Sequence, residues 1–260
     1  MAALVTVEAP EFGPATGGLL TVANVVDGDA RVGMGVTYDN TGFCGVARAL
    51  PQGCFSTGPA QQTKTFDGFG TNPAAASFGI YKGVECWLSG DDNFEATATR
   101  GLGLGESFAV ANALATTILE VSPTIILPST NDPVLALAKA EQWAGENYSG
   151  IPVIHVTRYG ASILASLGLL VRNLDGSLET WLGSKVSADA GYIANESTAF
   201  NIWVTGQVNL WRTPVIVNNA PNTTLNKGRA IAERLYAATV DCIHGKVVAN
   251  SITLTNKTGV

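Results

Sequence analysis

Apolar and polar positions follow several rhythms along this chain, and the clearest change of rhythm lies between Phe78 and Glu120. Phe78, Ile80, Tyr81, Val84, Trp87 and Leu88 form an apolar, aromatic run that ends at Ser89-Gly90. Asp91 and Asp92 follow, and paired carboxylates suit a helix N-terminus because they accept its free backbone N–H groups. The period then becomes helical, with Phe108, Ala111, Leu114, Ala115, Ile118 and Leu119 on one stripe. A strand feeding a long helix is predicted. Gly101, Gly103 and Gly105 interrupt the helix. Each costs about 1 kcal/mol relative to alanine in a helix interior, so a bend or break is expected there.

Other segments carry their own punctuation. Residues 1–35, with Pro10, Pro14 and Gly17-Gly18, read as an extended arm without a helical stripe. Residues 36–77 read as a long loop rich in glycine and proline, with a polar tract at Gln61-Gln62-Thr63-Lys64. Neither segment shows many apolar anchors, so both are expected to find their hydrogen bonds on neighbouring molecules rather than within a compact monomer. Further on, Asn131 or Asp132 caps a helix, Pro133 takes its first position and Gly145 ends it. Ala136, Leu137, Ala140, Trp143 and Ala144 give it a buried face. Ile151–Val156 reads as a buried strand and Tyr159–Leu169 as another helix. Asp175-Gly176 marks a tight turn between runs at Leu169–Leu174 and Leu178–Val186. Phe200, Ile202 and Val204 alternate as in a strand, which Val208, Leu210 and Val215 to Val217 continue; Pro214 implies an edge or bulge. Arg229 to Cys242 fits helix or strand, and Lys246 to Leu254 a final strand. The mixture is α+β.

Composition narrows the function. Charged residues make up 14% of the chain, against about 25% in ordinary domains. So little charge fits a surface largely hidden in subunit contacts, or a secreted protein. The basic n-region of a signal peptide is missing, because Glu8 and Glu11 precede the first cation, Arg31. No uninterrupted apolar run reaches the roughly 18 residues that a membrane helix requires, so no membrane partner is expected. Cys44, Cys54, Cys86 and Cys242 form no C-x-x-C pair and read as reduced thiols. The N-x-[ST] triplets at Asn147, Asn195, Asn222 and Asn256 read as accidents of composition. A net charge of −6, with basic residues spread singly apart from Lys227, Arg229 and Arg234, argues against sequence-specific nucleic-acid binding. Non-specific contact with DNA stays open.

Candidate chemistry is sparse. Of the two histidines, His155 follows the buried run Ile151–Ile154 and reads as a hydrogen-bonded interior residue, with a general base as the alternative. His244 precedes the last strand, and neither histidine has a partner at metal-ligand spacing. Asp27-Gly28-Asp29 and Asp91-Asp92-Asn93 look like cation sites, but the first lacks the other ligands of a calcium loop. The second is better explained as a cap. The glycines at 101, 103 and 105 do not form a phosphate loop, since Glu106 stands where the third glycine belongs and no lysine follows. A Gly-x-Ser-x-Gly elbow is absent. No catalytic, metal or cofactor residue is assigned.

The strand and long helix at 78–120 resemble the spine helix of tailed-phage major capsid proteins, whose Hong Kong 97-like fold is shared with encapsulin shells. The order of segments matches: arm, excursion loop, strand into spine helix, compact domain. The stretch NDPVLALAKAEQWAGENYSGIPVIHVTRYGASILASLG resembles the helix, strand and helix of the family's axial domain. LDGSLETWLGSKVSADAGY resembles the hairpin that follows in actinobacterial phage capsids, and RAIAERLYAATVDCIHGKVVANSITL the returning strands of the peripheral domain. The resemblance implies an arm at 1–35, a loop at 36–77, a peripheral domain at 78–128 and 229–260, and an axial domain at 129–228. It implies a non-enzymatic shell protein of a tailed double-stranded DNA phage, assembled in the host cytoplasm and resident in the virion. Its implied partners are copies of itself in hexamers and pentamers, with portal, separate scaffolding and decoration proteins. The alternatives are an encapsulin-type nanocompartment and, from another class, a secreted hydrolase. Some relatives join subunits covalently through a loop lysine; Lys64 lies in the matching loop, but its asparagine and glutamate partners are not apparent.

Overall fold

In the computed structural model, the structure describes residues 15–37, 47, 74–75, 77–87, 93–121, 125–192, 199–222, 224–225, 227–242 and 244–250. The chain opens with α1 (Leu19–Val22), β1 (Asn24–Asp27), a 3₁₀ turn at Ala30–Met34, β2 (Val36–Thr37) and β3 (Ala74–Ala75). The pair β4 (Ser77–Trp87) and α2 (Phe94–Leu114) comes next. It is followed by a π-turn at Ala115–Leu119, β5 (Ile125–Ile126), α3 (Pro133–Asn147), β6 (Val153–Val156) and α4 (Arg158–Ser166). The remainder is strand: β7 (Leu170–Arg172), β8 (Leu178–Thr180), β9 (Lys185–Ala188), β10 (Phe200–Thr205), β11 (Val208–Arg212), β12 (Ile216–Asn222), β13 (Lys227–Val240) and β14 (His244–Ala249). The α+β expectation holds.

Two sheets carry the fold. In the first, β13 is the axis. Antiparallel β4 runs along one side of it, from Lys227↔Trp87 to Ala237↔Ser77. The other side is shared in sequence by β12 and β11, and β1 adds in parallel to β11. Thr213 to Val215 bridge β11 and β12, so Pro214 sits where its missing N–H removes no ladder bond. The second sheet has the order β5-β14-β10-β6-β9-β8-β7. The returning segment is thus divided: β13 joins β4 under the long helix, whereas β14 pairs with β10 in the other sheet. The run expected at Leu178–Val186 is two strands, β8 and β9, separated by a turn in which Gly183 takes φ +87°.

The long helix forms as expected and starts within the expected cap run, but its irregularity lies elsewhere. Asn93 is its cap, its side chain accepting from the Ala96 N–H at 3.0 Å; Asp91 and Asp92 lie outside the described residues. The three glycines do not break it. Gly103 and Gly105 face open space, and Gly101 leaves room for the Lys82 side chain against the helix. The irregularity comes later, at the π-turn, where the Thr116 and Thr117 hydroxyls donate back to the carbonyls of Asn112 and Ala113. Such back-bonding competes with the regular ladder. Its buried series is Ala98, Leu102, Glu106, Val110, Leu114, at strict four-residue spacing, with Ala111, Ala115 and Leu119; Phe108 is exposed. This face packs on Ile80, Leu210, Ala232 and Tyr236 of the first sheet. By length and mean hydropathy the 26 residues from Phe94 to Leu119 would suffice to cross a membrane. Their packing on β4 and β13 accounts for that apolarity.

The second core lies under α3 and α4. Asp132 caps α3 through the Val134 N–H at 2.9 Å. The helix continues through Gly145 to Asn147, past the expected stop. Ala136, Leu137, Ala140 and Ala144 meet Ile154, Phe200, Ile202 and Val204, with Trp143 partly buried at the margin. The opposite face of β10 is also covered, because Trp203 joins the core of the long helix. The alternation read at Phe200–Val204 therefore separates two cores, not core from solvent. The arm departs from expectation as well: Leu19 and Val22 are buried against the chain's own long helix and sheet, so at least residues 19–22 have their anchors within the molecule.

Candidate assembly surfaces

Polar side chains in the described residues act mainly as internal fasteners. Glu106 projects from α2 toward β13, where the Arg234 Nη1 donates to its Oε1 at 2.7 Å and the Tyr236 hydroxyl donates to the same oxygen at 2.7 Å. Burial, then the Glu106 carboxylate, push the Tyr236 phenol up to about 12. Arg212 also faces that hydroxyl and donates to Asp27 at 2.6 Å. One chain of contacts thus links β1, β11, β13 and the long helix. Asp27 is held below the usual carboxylate range by its bond to Arg212, and Asp29 by Arg31. The two aspartates that resembled a cation site thus serve separate arginines. Among the described residues no cluster of histidine, cysteine and carboxylate could hold a metal.

A second fastener joins the long helix to the other sheet. The Ser107 hydroxyl donates to Asp189 Oδ2 at 2.5 Å, while Asp189 Oδ1 accepts from the Gly191 N–H at 3.1 Å. The backbone around it is close-packed. A Cβ on Gly191 would fall on the Phe108 carbonyl oxygen, and one on Gly18 would fall on Ser107 Oγ. His155 is fully buried between the Tyr192 hydroxyl (2.8 Å) and the Thr205 hydroxyl (2.9 Å). Burial, then the field of His244, drive it down to about 3. It is a neutral interior hydrogen-bonding residue, without the solvent access that a general base requires. His244 is the first residue of β14 and mostly buried, and burial lowers it too.

Cysteine usage differs from the sequence expectation. Cys86 is a free, exposed thiol, but Cys242 is disulfide-bonded. Spacing alone cannot reveal a pairing that depends on tertiary approach. Cys44, Cys54 and Lys64 lie outside the described residues.

Two faces combine exposed apolar side chains with a groove. On the outer face of the first sheet, Tyr81 and Trp87 are 71% and 62% exposed and flank Gly83 on β4. Beside them Gly83, Ile231 and Ala220 line a shallow groove of about 510 Å³. The charges there are already matched, because Glu85 accepts from both Lys227 and Arg229. At the far end of the second sheet, Trp181 and Leu182 are 74% and 80% exposed. They border a groove of about 390 Å³ with Val134 and Leu137. Large exposed apolar clusters with neutralised charge characterise surfaces that meet another protein. Sequence reading missed both, since each depends on residues from distant strands.

No protein-family model matches the chain, and no curated protein matches it by sequence. Solved structures do. The SrpI encapsulin of Synechococcus elongatus superposes with a TM-score of 0.61 and 11% identity, covering 99% of this chain and 96% of that one. The capsid of Ralstonia phage GP4 gives 0.58 at 9% identity over 98% and 96%. The virus-like particle of Pyrococcus furiosus gives 0.58 at 8% identity over 89% and 91%. The class defined by these superpositions is the α+β shell-protein fold. This chain has the Hong Kong 97-like form of it, as the resemblance implied.

Proposed function

We propose that this protein is the major capsid protein of a tailed double-stranded DNA phage, a structural subunit rather than an enzyme. One observation carries the reading beyond the fold. In a chain with only 14% charged residues, two grooved faces of the described residues carry apolar side chains exposed by 62–80%: Tyr81 and Trp87 on one, Trp181 and Leu182 on the other. Apolar faces with so little charge belong to a subunit completed by copies of itself. Obligate interfaces of this kind bury about 2,000–5,000 Å². Closed symmetry then follows from repeating one set of contacts, with hexamers and pentamers as the expected rings.

In this reading the peripheral domain spans 78–128 and 229–260 and the axial domain 129–228, with strands exchanged at the seam: β11 and β12 extend the peripheral sheet and β14 the axial one. The particle is assembled in the host cytoplasm and persists as the virion shell, with portal, separate scaffolding and decoration proteins as partners. Its contact with packaged DNA is non-specific. The encapsulin reading is supported by the SrpI superposition as the capsid reading is by that of phage GP4, each over nearly the whole of both chains. Electron microscopy of purified native particles separates the two: genome and portal mean a virion, enclosed enzyme means a compartment. A stable monomer by mass photometry would overturn both and restore the secreted-hydrolase alternative.

A further inference from the structure

We propose that the acidic segment at residues 4–12 of the arm docks in a two-arginine groove on its own subunit. The groove, of about 430 Å³, lies between α4 and the β7–β8 hairpin. Ala161, Ala165, Leu170 and Leu178 make its floor, and Arg158 and Arg172 stand on its rim. Among the described residues neither arginine meets a carboxylate; the one side-chain bond of Arg172 is a long one, 3.5 Å, to the Thr16 hydroxyl. Cations left unmatched beside an apolar trough fit an acidic peptide with an apolar side chain.

The course of the arm brings such a peptide to this place. Ala15 and Thr16 line the groove themselves. Thr16 is seated on the hairpin turn, where a Cβ on Gly176 would come within 2.7 Å of its hydroxyl. The Gly17 carbonyl accepts from the Ala188 N–H at 2.8 Å, and Leu19 is fully buried. The described chain therefore begins at the groove. The stretch preceding it reads Leu4-Val5-Thr6-Val7-Glu8-Ala9-Pro10-Glu11-Phe12. Glu11 is four positions from Ala15, a reach of up to roughly 14 Å. Pro10 and Pro14 bias the backbone toward extended conformations, which lowers the entropy lost on docking. Phe12 fits the alanine-floored trough, and Glu8 and Glu11 supply the charges that Arg158 and Arg172 lack.

Hydrogen exchange of residues 4–12 in the full chain tests this, with light scattering in parallel to report particle formation separately. Arg158→Glu with Arg172→Glu is expected to speed exchange of the segment about tenfold or more, as is Glu8→Arg with Glu11→Arg. Combining all four substitutions is expected to recover protection. A segment unprotected in the native protein, or protection unchanged by reversing the arginines, would overturn the proposal. So would loss of bound DNA in the arginine variant with the segment's protection intact, because the groove would then serve a phosphate backbone. Should the reversals misfold, Arg158→Lys with Arg172→Lys keeps the charges. Carbodiimide coupling should then join Glu8 or Glu11 to position 158 or 172 within one chain, and failure to couple counts against it.

Discussion

Arg234 reaches across from β13 to place its Nη1 2.7 Å from Glu106 Oε1 on the long helix, with both side chains almost entirely buried. Breaking such a pair from one side leaves the other charge stranded, at a cost of about 3–5 kcal/mol. Glu106→Ala is therefore expected to lower stability by that order in denaturant unfolding of dissociated subunits. The double variant with Arg234→Ala should lose clearly less than the sum of the two single losses. Additive losses would mean that the pair does not hold the helix.

The buried His155 sets an acid limb. Its folded-state value of about 3 lies below the ordinary value of 6.5. The unfolded chain therefore takes up a proton first as pH falls. The stability contributed by the neutral ring is present above pH 6.5 and is lost between there and about pH 3, at about 1.4 kcal/mol per pH unit. His155→Gln should flatten this limb in a pH series of thermal midpoints. A limb of unchanged steepness would assign acid sensitivity to other groups.

Glycines along and beside the long helix should respond in opposite directions. Gly103→Ala and Gly105→Ala meet nothing within 4 Å, so each should stabilise by about 1 kcal/mol. Gly191→Ala drives a methyl into the Phe108 carbonyl and should destabilise by about 1–3 kcal/mol or more. Thermal midpoints of the three single variants provide the comparison.

The arm should be protected before any shell exists. Leu19 and Val22 are buried on their own subunit and β1 is paired to β11. Amides of residues 19–27 are expected to exchange slowly in dissociated subunits. Exchange as fast as in an unfolded peptide would mean that this part of the arm is ordered only by neighbours.

Particles boiled in detergent with reductant should release single chains. Reductant is required in this test because Cys242 is disulfide-bonded. A ladder of multimers that persists under these conditions would reveal a covalent bond between subunits other than a disulfide, with Lys64 as the first residue to replace.

Much of the architecture was legible because local signals agreed with tertiary demand. Asp132-Pro133 starts a helix wherever it occurs in such a context, and the apolar run before His155 left it no exposed position. The cap of the long helix was legible too, since Asn93 of the Asp91-Asp92-Asn93 run takes that position. What was not legible depends on partners distant in the chain. Arg229–Cys242 was ambiguous because alanine, glutamate, arginine and leucine favour a helix locally, whereas its strand form is imposed by β4, β11 and β12. The Glu106 fastener did leave a trace in the sequence. A lone carboxylate at the four-residue spacing of Ala98, Leu102, Val110 and Leu114 marks a buried charge that must find a cation.

The central place of β13 has a consequence for biosynthesis. Lys227 meets Glu85, a residue made 142 positions earlier, and β4 has no other strand partner among the described residues. While the ribosome works through the intervening residues, β4 waits with its ladder groups unmatched, which is the slow and aggregation-exposed route to a sheet. A truncated chain that ends before β13 cannot complete the surface on which the long helix rests. Such a fragment is expected to leave the apolar face of the long helix uncovered, and so to aggregate rather than to enter an assembly.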